Sequence, residues 1–198
     1  MRVLLALAAT LVLTGSALAF DADTQAIADR YKVGKALKVA DLKTLMLASE
    51  RWCYSEEDGT CGWSDIYLDV EGDHVAFELG NAWNADVDIA FVTEGEFRDE
   101  RYFCEVGEDW VPGVRAINRA DGTLVGGREL AALKREIETV VAGGSDDCFD
   151  YQFVSADAAN QTLTLNQRQY VDLEHDPDMD TQVTVHFDKA SAAALTWR

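Results

Sequence analysis

The chain has 198 residues, of which 48% are hydrophobic, so it is long enough to bury a sizeable core as one domain. Its 36 acidic residues against 17 basic residues give a formal net charge of −19 at pH 7. A surface of this sign repels nucleic acid and anionic lipid, so we expect neither as a partner. It favours cations, a basic or polar protein, or a polar small ligand, although strong charge also serves simply to keep a protein in solution.

Residues 1–19 are organised like a secretory signal peptide. Arg2 precedes an apolar run from Val3 to Leu13, and Ala17-Leu18-Ala19 supplies the small residues that a signal peptidase requires. That run is too short to span a bilayer, and no later stretch reaches the roughly 20 apolar residues that a span needs. We therefore expect an exported protein, periplasmic or extracellular, whose remaining chain 20–198 forms a single domain without a membrane span.

Three stretches have helical signals. Asp23 is placed to cap a short helix that ends near Arg30, and Asp41 is placed to cap a second one. The apolar stripe of the second helix is formed by Leu42, Leu45, Met46 and Trp52. A third helix begins at Gly127, is ended by Gly143-Gly144 and has its apolar residues at Leu130, Leu133, Ile137 and Val140.

Between Cys61 and Phe97 the spacing of apolar residues changes to every second position, which predicts strands with one buried face. The alternating triplets are Ile66, Leu68, Val70; Val75, Phe77, Leu79; and Val87, Ile89, Phe91. Turn residues separate these triplets, which indicates an antiparallel meander. Further strands are expected around 97–104, 114–118, 149–155, 162–174, 181–187 and 192–197. Because strands and helices do not alternate, the predicted class is α+β, an antiparallel sheet with a few packed helices.

A similar layout recurs in the second half of the chain. Leu42 and Leu45 correspond to Leu130 and Leu133, and Cys61 corresponds to Cys148. This spacing suggests two tandem helix-plus-meander units, an internal duplication of 35–110 and 111–198. The alternative is coincidence, because any two amphipathic meanders can be aligned in this way.

The four cysteines favour structural disulfides over redox chemistry or a zinc site. None has the two-residue separation of a redox pair, and the three histidines lie far from them in sequence. We expect the bonds Cys53–Cys61 and Cys104–Cys148. The first closes a short polar loop, and the second ties the second unit to the end of the first.

One acidic cluster resembles the start of a calcium-binding loop. Asp176, Asp178 and Asp180 stand at alternate positions, but Thr181 occupies the place of the required glycine and Phe187 the place of the bidentate glutamate. We therefore expect a solvated turn between two strands here and no bound metal.

Function is the least determined property. The sequence has no nucleophile elbow, zinc-protease helix motif or phosphate-binding loop, and nothing implies a cofactor. A non-catalytic binding or inhibitor-like module is the favoured hypothesis, and a small secreted hydrolase that uses paired carboxylates is the alternative. The expected binding surface is the wet side of the sheet, with Tyr67, Trp83, Asp86 and Asp88 as its candidate residues. The hydrolase would require two acids with raised pKa values in one deep cleft.

Overall fold

The computed structural model describes residues 20–106, 109–141 and 147–198. The expected signal peptide and the pair Gly143-Gly144 lie outside the described residues. The helices are α1 Ala22–Arg30, α2 Val39–Ala48, α3 Gly127–Val141 and α4 Lys189–Ala194, with a 3-10 turn at Val111–Gly113. The strands are β1 Arg51–Tyr54, β2 Thr60–Cys61, β3 Trp63–Glu71, β4 His74–Ala82, β5 Val87–Arg98, β6 Tyr102–Glu105, β7 Arg115–Asn118, β8 Asp147–Asp157, β9 Thr162–Val171, β10 Glu174–His186 and β11 Thr196–Trp197.

Eight of these strands close into an antiparallel barrel. Their order around the barrel is β1, β3, β4, β5, β6, β8, β9, β10, and β10 pairs with β1 to complete the ring. The expected open meander sheet with packed helices is therefore wrong. Alternation of polar and apolar residues shows which face of a strand is buried, but it does not show whether the two edges of a sheet pair with each other.

A β-bulge explains why the expected buried face of β3 is also wrong. Tyr67 opposes Phe77, but the pairing shifts after it, so that Val70 opposes Val75 and Leu68 is the extra residue. As a result Tyr67 points into the barrel, whereas Leu68 is 53% exposed on the outside. The apparent period of two through Leu68 crosses the bulge and so joins two opposite faces of the strand.

The N-terminal helices cover one end of the barrel. Leu45 and Met46 of α2 are fully buried in the main core, together with Trp52 of β1. Trp52 thus belongs to a strand and not to the helix in which it was expected. The segment before α2 adds main-chain hydrogen bonds to the edge of β8 beyond the short β6, since Leu37 donates its N–H to the carbonyl oxygen of Tyr151.

A second, smaller core lies between α3 and the N-terminal half of β5. Leu133 and Ile137 of α3 pack against Ile89 and Phe91 of β5, and the ring of Phe91 stacks on Trp110 at a centroid distance of 3.8 Å. Strand β7 pairs with the start of β5 outside the closed ring. None of the helices in the described part of the chain is long and apolar enough to cross a membrane.

Two disulfides each join two strands, and they are the pairs expected from the sequence. Cys53–Cys61 links β1 to β2, and Cys104–Cys148 links directly opposed positions of β6 and β8. The second bond therefore joins the two halves of the chain within the wall of a single barrel. The internal duplication of 35–110 and 111–198 remains a prediction.

The contact between Gly95 and Phe103 provides a test of how β5 and β6 pack. A Cβ atom added at Gly95 would lie 2.4 Å from carbons of the buried Phe103 ring. We expect Gly95→Ala to lower the free energy of unfolding by about 1–3 kcal/mol, because the core cannot absorb the added volume. Urea denaturation measures the change.

Gly113→Ala is the matched control, because no heavy atom lies within 4 Å of its added Cβ. This variant should change the unfolding free energy by less than about 0.5 kcal/mol. Equal stability of the two variants would show that β5 and β6 are not packed as described.

Candidate functional site

The barrel holds a partly open cavity of about 290 Å³, and one of its lining residues, Glu105, is exposed to solvent. Strands β3, β4, β6, β8 and β9 supply its walls. The aromatic lining residues are Trp63, Phe103, Phe149 and Tyr151, and the polar ones are Asp65, Asn81, Glu105, Gln167 and Gln169. None of the described residues that line the cavity is a lysine, arginine or histidine. The cavity thus combines aromatic walls with acid and amide groups and has no basic side chain among those residues.

Asp65 is the more deeply buried of the two ionisable carboxyl groups that line this cavity, Asp65 and Glu105. Only 5% of its surface is exposed, and burial raises its pKa from 3.8 to about 8. A hydrogen bond from Tyr54 opposes this rise, and the negative charge of Glu105 adds to it. At neutral pH the Asp65 carboxyl therefore keeps its proton.

Three tyrosine hydroxyls lie near the Asp65 carboxyl, and one of them is hydrogen-bonded to it. The Tyr54 hydroxyl donates to Oδ2 of Asp65 at 2.8 Å and lies 3.4 Å from the hydroxyl oxygen of Tyr151. Gln167 Nε2 donates to the Tyr151 hydroxyl at 3.0 Å. Burial raises the pKa of Tyr54, Tyr67 and Tyr151, so all three remain protonated donors.

Two buried polar atoms of this cluster have no hydrogen-bond partner among the described residues. They are Oδ1 of Asp65 and the hydroxyl oxygen of Tyr67. Leaving such an atom unpaired in the interior costs about 1–3 kcal/mol. A fold that retains this cost at the wall of a cavity, as at Asp65, has polar groups ready to receive a ligand.

Glu105 stands at the rim of the cavity. Burial by the surrounding barrel wall and the nearby charge of Asp147 raise its pKa from 4.5 to about 7. The residue nevertheless has a solvent-exposed side. Contact with water weakens the effects of burial and of the Asp147 charge on the pKa of Glu105. The fold therefore controls the protonation of Asp65 more firmly than that of Glu105.

The residues expected to form the binding surface do not all lie together, because Trp83, Asp86 and Asp88 lie around the turn between β4 and β5 whereas Tyr67 lies in β3. Tyr67 is inside the barrel with 8% of its surface exposed, so its expected position on the wet side is wrong. Trp83 donates its Nε1–H to Oε1 of Glu136 on α3 at 3.0 Å. Asp88, in β5, is half-buried, and its Oδ1 lies 3.4 Å from Nε of Arg119. Asp86 is exposed in the turn before β5. Their roles as binding residues remain predictions.

The acidic cluster lies within β10, where the expected position was a turn between two strands. The pairing with β9 is interrupted between Asp176 and Thr181 by a bulge that contains Asp178. Oδ1 of Asp180 is hydrogen-bonded to Nε2 of the His175 ring at 2.8 Å. Within residues 20–106, 109–141 and 147–198, no three His, Cys, Asp or Glu side chains are grouped so that they could hold a metal ion.

A second buried acid, Asp150, lies on the outside of the barrel and has a structural role. Burial acts to raise its pKa, but hydrogen bonds from Arg168 and Arg101 outweigh that effect and hold the pKa below its usual value. The hydroxyl of Tyr170 also donates to this carboxylate. Arg168 is thus engaged in fixing β8 to β9.

The interpretation of the sequence missed Asp65, Tyr54, Tyr151 and Gln167. A signal for them exists, because Gln167 and Gln169 continue the same alternating face as the buried Leu165. Polar residues that extend an apolar face indicate a strand that leaves a dry core and enters a polar cavity.

Comparison with known proteins found no match. No protein-family model, curated protein or solved structure resembles the chain significantly. The chemistry of the cavity therefore carries the functional conclusion.

The protonation of Asp65 makes the stability of the fold depend on pH. Its folded-state pKa lies above its unfolded value, so the folded state binds more protons between about pH 4 and pH 8. Stability therefore falls as pH rises through this window, by up to about 1.4 kcal/mol for each pH unit. Urea denaturation from pH 5 to pH 8 should show a shallower fall for Asp65→Asn than for the wild type. Parallel curves would mean that Asp65 is ionised in the folded protein.

Proposed function

We propose that the chain is an exported, non-catalytic binding protein that holds one small organic ligand inside its barrel. The observation that carries this proposal is Oδ1 of Asp65, a buried oxygen that has no hydrogen-bond partner among the described residues and belongs to a residue lining a partly open cavity. A buried polar group without a partner is costly for the fold alone, but it becomes favourable when a ligand supplies the missing hydrogen bond.

The dimensions of the barrel support a small ligand. Eight strands enclose a space that is either filled by side chains or holds one small molecule. In this barrel the end under α2 is filled, whereas the part between Trp63 and Gln169 retains about 290 Å³. This volume is near the lower end of the range of about 300–1,000 Å³ for small-molecule sites.

Two disulfides fit an exported protein, and the signal-peptide pattern of residues 1–19 supports the more specific proposal of a periplasmic or extracellular location. A small ligand accounts for the structure better than a protein partner captured by the wet face. The indole N–H of Trp83, the expected anchor of such a face, is already bound to Glu136.

One observation favours a second candidate function, a hydrolase with paired carboxylates. Asp65 and Glu105 line the same cavity, and both have raised pKa values. Near neutral pH a protonated Asp65 could serve as the acid while an ionised Glu105 serves as the base. The binding function is preferred because a cavity of about 290 Å³ suits a single small molecule and not a polymeric substrate.

Filling the mouth of the cavity tests the binding proposal. We expect some members of a set of small aromatic amines, alcohols, amides and carboxylic acids to bind the wild type in saturation-transfer NMR. Gln169→Trp, which fills the lined space, should reduce that binding at least tenfold. Asn166→Trp on the outer face of the same strand is the control and should leave it unchanged. Equal binding by both variants would place the ligand outside the barrel.

Activity measurements test the second candidate. The wild type should release nitrophenol from nitrophenyl glycosides and nitrophenyl esters no faster than the double variant Asp65→Asn with Glu105→Gln. If the wild type turns either substrate over and each single substitution abolishes turnover, the hydrolase becomes the correct function and the binding proposal fails.

A further inference from the structure

We infer that the cavity selects a small organic cation, a primary ammonium on a compact apolar group, and that binding this cation expels the proton of Asp65. The inference rests on the proposed function and specifies its ligand. Three features of the described residues carry it: an acceptor with no partner, walls made of aromatic rings, and a lining without a basic side chain.

The first feature determines what the ligand must donate. Once ionised, Asp65 can accept hydrogen bonds only, and Oδ2 already receives one from Tyr54. Oδ1 is the free acceptor and lies in the interior. An ammonium group supplies both the N–H donor and the opposite charge that a buried carboxylate needs.

The second feature suits the charge and the apolar part of the ligand. Trp63 lines the cavity and stacks on Tyr54 with a centroid distance of 4.8 Å, while Phe103 and Phe149 form walls on β6 and β8. Aromatic faces attract cations and also bury apolar carbon. The net charge of −19 adds a long-range attraction for cations and repels anions.

The third feature, a lining without a basic side chain, disfavours the binding of anions. The groups that face Asp65 are the hydroxyls of Tyr54, Tyr67 and Tyr151 and the carboxyl of Glu105, to which Asp147 adds its charge at the rim. Strands β4 and β9 contribute only uncharged side chains to the lining, namely Leu79, Asn81, Gln167 and Gln169. An anion would therefore meet only acids and neutral groups.

The proton balance follows from the state of Asp65 before binding. Burial and the charge of Glu105 keep the carboxyl protonated at neutral pH. When the ammonium ion enters, the O–H bond of Asp65 breaks, the proton leaves to solvent and the carboxylate pairs with the cation. Because one proton is released, the affinity for the cation increases by up to about tenfold for each unit by which pH rises, as long as pH stays below the pKa of Asp65.

Three probes of one shape separate charge from size. Benzylamine is a cation over the whole range from pH 6 to pH 8, because alkyl ammonium groups lose their proton near pH 10. Benzyl alcohol is its neutral counterpart and benzoate its anionic one. We expect calorimetry at pH 7.5 to give an affinity for benzylamine at least tenfold above that for benzyl alcohol, with no detectable binding of benzoate.

Two variants connect the preference to Asp65. Asp65→Asn should reduce the preference for benzylamine to less than threefold, keep the affinity for benzyl alcohol within threefold, and abolish proton release measured in buffers of different ionisation enthalpy. Glu138→Gln, which removes one exposed acid on α3, should leave both the preference and the proton release unchanged.

The outcomes distinguish this inference from the function on which it rests. If benzylamine and benzyl alcohol bind the wild type equally, and Gln169→Trp blocks both, the protein binds ligands in its barrel but the selection for cations is wrong. If the preference for benzylamine persists in Asp65→Asn, the cation is held elsewhere and the inference is also wrong. If none of the three probes binds at millimolar concentration, the inference is wrong, and the wider set of ligands compared between the wild type and Gln169→Trp separately decides the proposed function.

Discussion

The pairing of β1 with β10 is the constraint on which the rest of the structure depends, because it turns a sheet with two faces into a barrel with an inside. On an open sheet, Asp65 and Gln167 would face water and be ordinary solvated side chains. Closure buries them together with the hydroxyls of Tyr54, Tyr67 and Tyr151 in the interior of the barrel. The raised pKa of Asp65, the cavity and the proposed ligand all follow from that enclosure.

The barrel interior divides into a part that stabilises the fold and a part that offers chemistry. Leu45 and Met46 of α2 complete a dry core at one end, and Cys104–Cys148 fastens the short β6 to β8. These elements supply the stability that allows Oδ1 of Asp65 to remain without a partner. A buried carboxyl kept neutral in this way is a group held ready for a cation, since ionisation becomes favourable only when a positive charge arrives.

The sequence predicted local features well and the assembly poorly. Most strands and helices were recognisable from their spacing, and so were the pairs Cys53–Cys61 and Cys104–Cys148. The buried face of β3 was misjudged because a bulge at Leu68 leaves no mark in the pattern, and closure depends on pairing between distant edges. Asp65 was missed for a related reason: an acid flanked by Trp63 and Tyr67 becomes distinctive only once that face is known to be inside.

The protonation of Asp65 inside the closed barrel is the central claim, and a carbon NMR titration of its side-chain carboxyl tests it most directly. The carboxyl resonance, assigned by its loss in Asp65→Asn, should titrate with a midpoint near pH 8, as burial in the barrel requires. A midpoint near pH 4 would show that the carboxyl is solvated and ionised at neutral pH, which would contradict both the enclosed site and the ligand chemistry derived from it.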